Sequence, residues 1–123
     1  MQNSPNSNNP FAMQTVGSEI DGGFAQYCVT LAKEAYPVNC NWSDIELASI
    51  PISYSTAEGM LCRANIQNEK ILITGASGGV GSAAIQLAKV RGATIIAQCS
   101  SDKASDLKAL GANHTVNRND DLL

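Results

Sequence analysis

The sequence predicts an α/β fold built on a parallel sheet, and three observations carry that expectation. Ile71-Leu72-Ile73-Thr74 is a short run of β-formers without polar alternation, the pattern of a strand covered on both faces. Gly75-Ala76-Ser77-Gly78-Gly79-Val80-Gly81 follows it directly and opens an alanine-rich segment with helical apolar spacing. A second apolar run, Thr94-Ile95-Ile96-Ala97, then repeats the order of strand and helix.

Taken from the start of the chain, residues 1–12 are rich in Asn, Ser and Pro and cannot bury apolar surface, so they read as a polar tail. Gly22-Gly23 introduce a short alternation, Phe24 to Val29, which predicts a strand after a turn. Pro37 closes a second short extended piece. Ser43-Asp44-Ile45-Glu46 has the spacing of a capping box and predicts a short helix to about Ala48. Pro51 suits the first turn of another helix, running through Tyr54, Ala57, Met60 and Leu61 to about Ala64. After the glycine stretch, Val80, Ala83, Ala84, Leu87 and Ala88 form one apolar helix face that stops at Gly92. Ser101 caps a further helix holding Ala104, Leu107 and Leu110, ended by Gly111, and His114-Thr115-Val116 begins a third strand. Right-handed crossovers turn this β-α-β-α-β order into three parallel strands with helices on the faces.

Composition narrows the possible functions. The chain has 123 residues, 44% hydrophobic but only 5% aromatic, so its core must come from Ala, Val, Ile and Leu. A net charge of −3 leaves no polybasic patch for nucleic acid or an anionic membrane. No apolar run approaches the roughly 18 residues of a membrane span. The first basic residue is Lys33, so no secretory leader is expected. Cys28, Cys40, Cys62 and Cys99 form no C-x-x-C pair and read as reduced thiols of a cytoplasmic protein. Residues 1–64 carry 2 basic and 6 acidic side chains, against 6 and 5 in residues 65–123, which makes the second part the better host for an anion.

Three phosphate-loop patterns compete for the glycine stretch. A P-loop needs a lysine that is absent here, which excludes an ATP or GTP hydrolase. The short-chain dehydrogenase pattern fits Thr74, Gly75, Gly79 and Gly81, but Tyr27, Tyr36 and Tyr54 lack the lysine four residues on that its catalysis requires. The dinucleotide pattern G-x-G-x-x-G falls on Ala76, Gly78 and Gly81, with alanine in the first place. In that pattern Gly78 lets the backbone approach a pyrophosphate and Gly81 lets the helix lie close on the sheet. The N–H groups of Gly79, Val80 and Gly81 then point at phosphate from a helix N-terminus. Ser77 lies within the same loop.

The stretch from Gly17 to Arg118 resembles the middle of a medium-chain dehydrogenase/reductase, the superfamily of zinc-type alcohol dehydrogenases and quinone reductases. The residues that carry the resemblance are Asp21 to Tyr27, Ser53 to Ala57, the run Thr74 to Lys89, and Leu110-Gly111-Ala112. It implies the first βαβαβ half of a Rossmann-type sheet in residues 65–123. Residual strands and helices from the end of a GroES-like catalytic domain would precede it in residues 13–64. It also implies NAD(P)-dependent hydride transfer to or from a carbonyl, alcohol or quinone, with no turnover expected of this chain by itself. A non-catalytic nucleotide-binding or structural module of the same fold is the alternative. The family's later zinc-ligand cysteine falls near Ile52, which cannot ligate, so zinc is not expected. His114, the one histidine, reads as a surface strand residue.

The carboxylate that selects NAD stands at the end of the second strand; here that place is Cys99, and Asp102 reads as a helix-start residue. Ser100, Lys103 and Arg118 can offer a hydroxyl and two cations to a 2′-phosphate, which favours NADP. Thr56 resembles the family threonine near the nicotinamide. Strand 71–74, meant to be central, is left with an unpaired apolar edge, which predicts a homo-oligomer through that edge.

Overall fold

The computed structural model describes residues 15–120, which fall into two units divided after Cys40. The tail expected at residues 1–12 lies outside the described residues. Among the described residues of the first unit only a Val16–Ile20 bridge and a 3-10 turn at Ala32–Glu34 are regular. The strand predicted over Phe24 to Val29 does not form, nor does the extended piece before Pro37 become a strand. Alternation alone cannot hold a strand; it needs a partner ladder and a covered face. Phe24, Tyr27 and Val29 are instead exposed.

The second unit begins with α1, Asp44–Arg63. The capping box is present: the Ser43 hydroxyl accepts the Glu46 N–H at 3.3 Å and the Glu46 carboxylate accepts the Ser43 N–H at 2.8 Å. The two helices predicted on either side of Ile50 are one. Pro51 lies inside α1, its missing N–H tolerated on an exposed turn, and the Ser55 hydroxyl donates to the Pro51 carbonyl.

Three strands follow: β1, Lys70–Ile73; β2, Thr94–Cys99; β3, His114–Asn117. They form one parallel sheet in the order β1-β2-β3, with Ile71 beside Ile95 and Ala97 beside Thr115. Between them run α2, Gly79–Val90, and α3, Ala104–Leu110. All three helices finish alike. Asn65, Gly92 and Gly111 take positive φ, and the N–H after each (Ile66, Ala93, Ala112) reaches back to Leu61, Ala88 and Leu107.

Among the described residues the core lies on one side of this sheet. Ile95, Ala97 and Cys99 are buried against Ile85, Ala88, Leu107 and Leu61, with Ile71 and Ile73 packed at the margin. The expectation of strands covered on both faces, and of helices on both, is therefore corrected. Both crossovers run in the same direction across the sheet, so right-handedness puts α2 and α3 on the same face. The other face carries Leu72, 47% exposed, in register with Ile96 and an exposed His114. Ile85, absent from the predicted helix stripe, is fully buried, because α2 packs against α1 as well as the sheet. Among the described residues no helix is long and apolar enough to cross a membrane.

Candidate functional site

The site grows out of the bend between β1 and α2. Gly75 turns the chain at φ +59°, a conformation that only glycine adopts without strain, and so supplies the tight turn. The G-x-G-x-x-G spacing puts Ala76 in the first place of the fingerprint. In the structure Ala76 is fully buried and its N–H donates to the Gln98 carbonyl at 3.3 Å, extending the β1–β2 pairing by one step. The alanine is thus a core residue, and the adjacent Thr74-Gly75 pair was the available sign of the turn. Gly81 packs directly on the bend: a Cβ there would lie 2.7 Å from the Ala76 Cα and also meet the Gly75 carbonyl. Gly79 lies under α1, where a Cβ would come within 2.8 Å of the Ser53 hydroxyl.

The start of α2 is chemically open. Its N-cap is Gly78, which has no side chain to donate or accept, and no acid stands in the first turn. The first closed helical bond is from the Ser82 N–H to the Gly78 carbonyl at 2.8 Å. Among the described residues the N–H groups of Gly79, Val80 and Gly81 therefore find no acceptor. Three aligned amides at the positive end of a helix form an anion cradle.

Two hollows flank the bend. One, of about 610 Å³, runs between α1 and the free edge of β1; Met60, Leu61, Ile66 and Leu72 form its apolar wall and Gly78, Gly79, Val80 and Gly81 its polar end. The other, of about 270 Å³, lies at the C-terminal end of β2 and brings together Ser77, Ser100 and Arg118 with Gly75, Gln98 and Cys99. Arg118 is held there by its N–H, which donates to the Cys99 carbonyl at 3.2 Å. Lys103 sits exposed in the 3-10 turn Ser101–Lys103 and is not part of that wall. Thr56 is exposed on α1 and lines neither hollow, although its neighbour Ala57 lines the larger. A hydrogen bond from the Ser100 side chain holds the Asp102 carboxyl below the usual carboxylate range; Lys103 and Arg118 act in the same direction and burial opposes them.

A parallel sheet whose first strand runs through a glycine bend into an uncapped helix defines a Rossmann-type α/β unit. Residues 79–123 match the family model of zinc-binding dehydrogenases. The chain is 43% identical, with a TM-score of 0.83, to a putative alcohol dehydrogenase from Sinorhizobium meliloti, covering 89% of this chain and 31% of that one. It is 34% identical, with a TM-score of 0.62, to the quinone oxidoreductase from Thermus thermophilus, solved also as a complex with NADPH, covering 66% and 28%. It is 35% identical to prostaglandin reductase-3 from Bos taurus, covering 86% and 28%. The chain belongs to the medium-chain dehydrogenase/reductase superfamily, whose members bind nicotinamide cofactors, and spans about a third or less of the length of these relatives.

A dinucleotide fits the residues present: the open amides suit a diphosphate, and Ser77, Ser100 and Arg118 line a second, polar hollow. Among the described residues no group of three His, Cys, Asp or Glu side chains is placed to share a metal ion, and Ile52 stands exposed on α1.

Proposed function

We propose that residues 65–123 bind the diphosphate and adenosine half of a nicotinamide dinucleotide. In this reading the chain is part of an oxidoreductase that transfers hydride to or from a small carbonyl, alcohol or quinone in the cytoplasm. One observation carries the reading: among the described residues the amides of Gly79, Val80 and Gly81 have no acceptor, at a helix start that has neither a capping side chain nor an acid. A bound nicotinamide would supply the hydride. The chain's own residues bind and orient: the amides hold the diphosphate, Gly78 admits it without a side chain in the way, and Ser77 and Ser100 offer hydroxyls to the ribose. The cations Arg118 and Lys103 favour a 2′-phosphate, and hence NADP over NAD. Thr56, one turn from the groove wall at Met60, is assigned to the nicotinamide side.

The test is titration of the chain with 2′-phospho-ADP and with ADP. Saturable binding of both, tighter for the first, is the expected result. Binding of neither removes the cofactor assignment, and tighter ADP binding reverses the preference for NADP. A second reading, a nucleotide-binding module without turnover, is favoured by the wall of the larger hollow. Apart from Thr74, its side chains offer no group able to give or take a proton. NADPH oxidation over a panel of quinones and aldehydes separates the two readings. The free edge of β1 supports assembly of copies through Ile71–Ile73, and a stable monomer in light scattering at micromolar concentration would contradict that.

A further inference from the structure

We propose that a second copy of this chain covers the free edge of β1, with its own β1 running antiparallel beside the first, and brings its Glu69 to the open start of α2. The dimer deepens the assembly read from that edge; only its competition with nucleotide rests on the diphosphate reading. Among the described residues β1 has one neighbour in the sheet, β2. The Thr94 N–H donates to the Glu69 carbonyl at 2.9 Å, which sets the phase of the ladder: Glu69, Ile71 and Ile73 bond toward β2. The N–H and C=O groups of Lys70, Leu72 and Thr74 therefore point away from the sheet. The hollow of about 610 Å³ beside that edge runs along Ile71–Thr74 and is walled by Met60, Leu61 and Ile66.

A two-fold axis normal to the sheet joins two such edges and keeps the helix-bearing faces of both copies on one side. Pairing centred on Leu72 is the register that uses every open group. Lys70 then lies opposite the second copy's Thr74, and Leu72 opposite the second copy's Leu72. A shift by two residues leaves Lys70 or Thr74 unpaired, and a shift by one turns the second copy's inner side chains to the outer face. In this register the two Leu72 side chains, each 47% exposed in the single copy, meet on the outer face. Ile71 and Ile73 of the second copy enter the hollow beside Met60, Leu61 and Ile66. Charge favours the same direction. The second copy's strand lies with its N-terminal end at the bend, and alternation puts its Glu69 opposite Gly75, on the face of Ile71 and Ile73. That end of the hollow is formed by Gly78, Gly79, Val80 and Gly81, and the first turn of α2 holds no acid of its own. One carboxylate oxygen of Glu69 accepts the Gln67 N–H at 2.6 Å, which leaves the other for the positive end of α2. The second copy thus supplies the acceptor that α1 draws from its own cap, and a diphosphate must displace it.

The experiment is analytical ultracentrifugation of the full chain across the micromolar range at low salt, for the wild type, Glu69→Gln and Asp106→Asn. Asp106 is an exposed acid in the first turn of α3 and reports the effect of losing a charge away from the edge. The expected result is a wild-type dimer that Glu69→Gln weakens about tenfold, since each dimer loses both carboxylate contacts, and that Asp106→Asn changes by less than about twofold. Leu72→Cys tests the register. In the hydrogen-bonded pair at the axis the two Cα atoms lie about 5.5 Å apart, within disulfide range. Mild oxidation and peptide mapping should therefore recover a link between the two introduced thiols ahead of any through the exposed Cys28, Cys40 or Cys62. Saturating ADP should weaken the wild-type dimer at least about fivefold. A wild-type monomer throughout the range, a dimer that Glu69→Gln does not weaken, or links that avoid the introduced thiols overturns the proposal; a monomer would leave the edge to a strand of another polypeptide. If calorimetry shows ADP bound while the dimer constant does not move, the competition is overturned and the nucleotide reading stands. If ADP does not bind, the nucleotide reading fails, and the ligand-free measurements still decide the dimer. Circular dichroism of each variant confirms that the fold is retained.

Discussion

The two longer helices begin in opposite ways. At α1, Ser43 and Glu46 satisfy each other's free N–H groups, and the start is closed by its own side chains. At α2 the same position is Gly78, the first turn holds no acid, and three amides stay open. Both helices carry the same backbone dipole, so the difference lies entirely in side chains. A start that only has to be stable is capped. A start left bare next to the C-terminal end of the first strand forgoes roughly 1 kcal/mol of capping and leaves room for a ligand.

The largest expected effect comes from breaking the geometry that makes the second start possible. Gly81→Ala puts a Cβ 2.7 Å from the Ala76 Cα and against the Gly75 carbonyl, both of them backbone atoms that cannot rotate away. Urea unfolding should show a loss of about 2–3 kcal/mol, and nucleotide titration a loss of binding. A loss below about 0.5 kcal/mol would mean that the close approach of helix and bend is not a constraint. The next variant makes α2 resemble α1. Gly78 is extended at φ −80°, ψ 169°, a conformation Asp adopts, and its Cβ would lie 3.3 Å from the Gly75 carbonyl, so Gly78→Asp needs a shift of a few tenths of an ångström and gives the open amides an internal acceptor. Stability should change by no more than about 0.5 kcal/mol, whereas affinity for ADP should fall at least about tenfold. Unchanged affinity would place the phosphates elsewhere.

These variants also separate what could be read in the sequence from what could not. The glycine bend and the β-α-β-α-β order were legible because Gly, the β-branched runs and the helix stops at Gly92 and Gly111 act locally. The spacing pattern puts alanine, Ala76, in its first place and leaves unread that Gly75 makes the turn, because a spacing pattern does not report which peptide takes positive φ. Pro51 misled because proline breaks helices on average, while an exposed turn with Ser55 behind it tolerates one. The strand predicted at Phe24–Val29 failed for the opposite reason: its pattern was correct, but a strand requires a partner, and sequence alternation does not supply one. Coverage of the sheet was illegible for a similar reason. Ile71-Leu72-Ile73 is apolar at every position, and only the crossover direction tells that Leu72 faces outward. At the site, Ser77, Ser100 and Arg118 meet because three parallel strands end on one side. Thr56 and Lys103, assigned by resemblance and by charge, stand outside that meeting point.

Closing the comparison from the other side gives smaller effects. Ser43→Ala opens the start of α1, and Tm and urea midpoints should fall by the equivalent of about 1 kcal/mol. Nucleotide affinity should stay within about twofold, since no residue of that cap lines either hollow. A matching loss of binding would show that α1 and the cradle are coupled.

The smallest effect is in pH. The Ser43 N–H, and then its hydroxyl, hold the Glu46 carboxyl below the usual carboxylate range. A carboxyl depressed in the folded state adds stability above its unfolded pKa, near 4.5, and loses that contribution as pH falls through the folded value. Glu46→Gln removes the ionisation but keeps an acceptor for the Ser43 N–H. Unfolding free energies of wild type and Glu46→Gln should therefore differ at pH 7 and converge below about pH 4. Glu58 is depressed as well, first by its hydrogen bond from Arg91, and so is Glu19, first by the Thr15 N–H, so both proteins should still weaken on acidification. What isolates the cap is the narrowing gap between the two curves. A gap that stays constant down to pH 3 would assign the stability of the first turn to packing and not to the charge of Glu46.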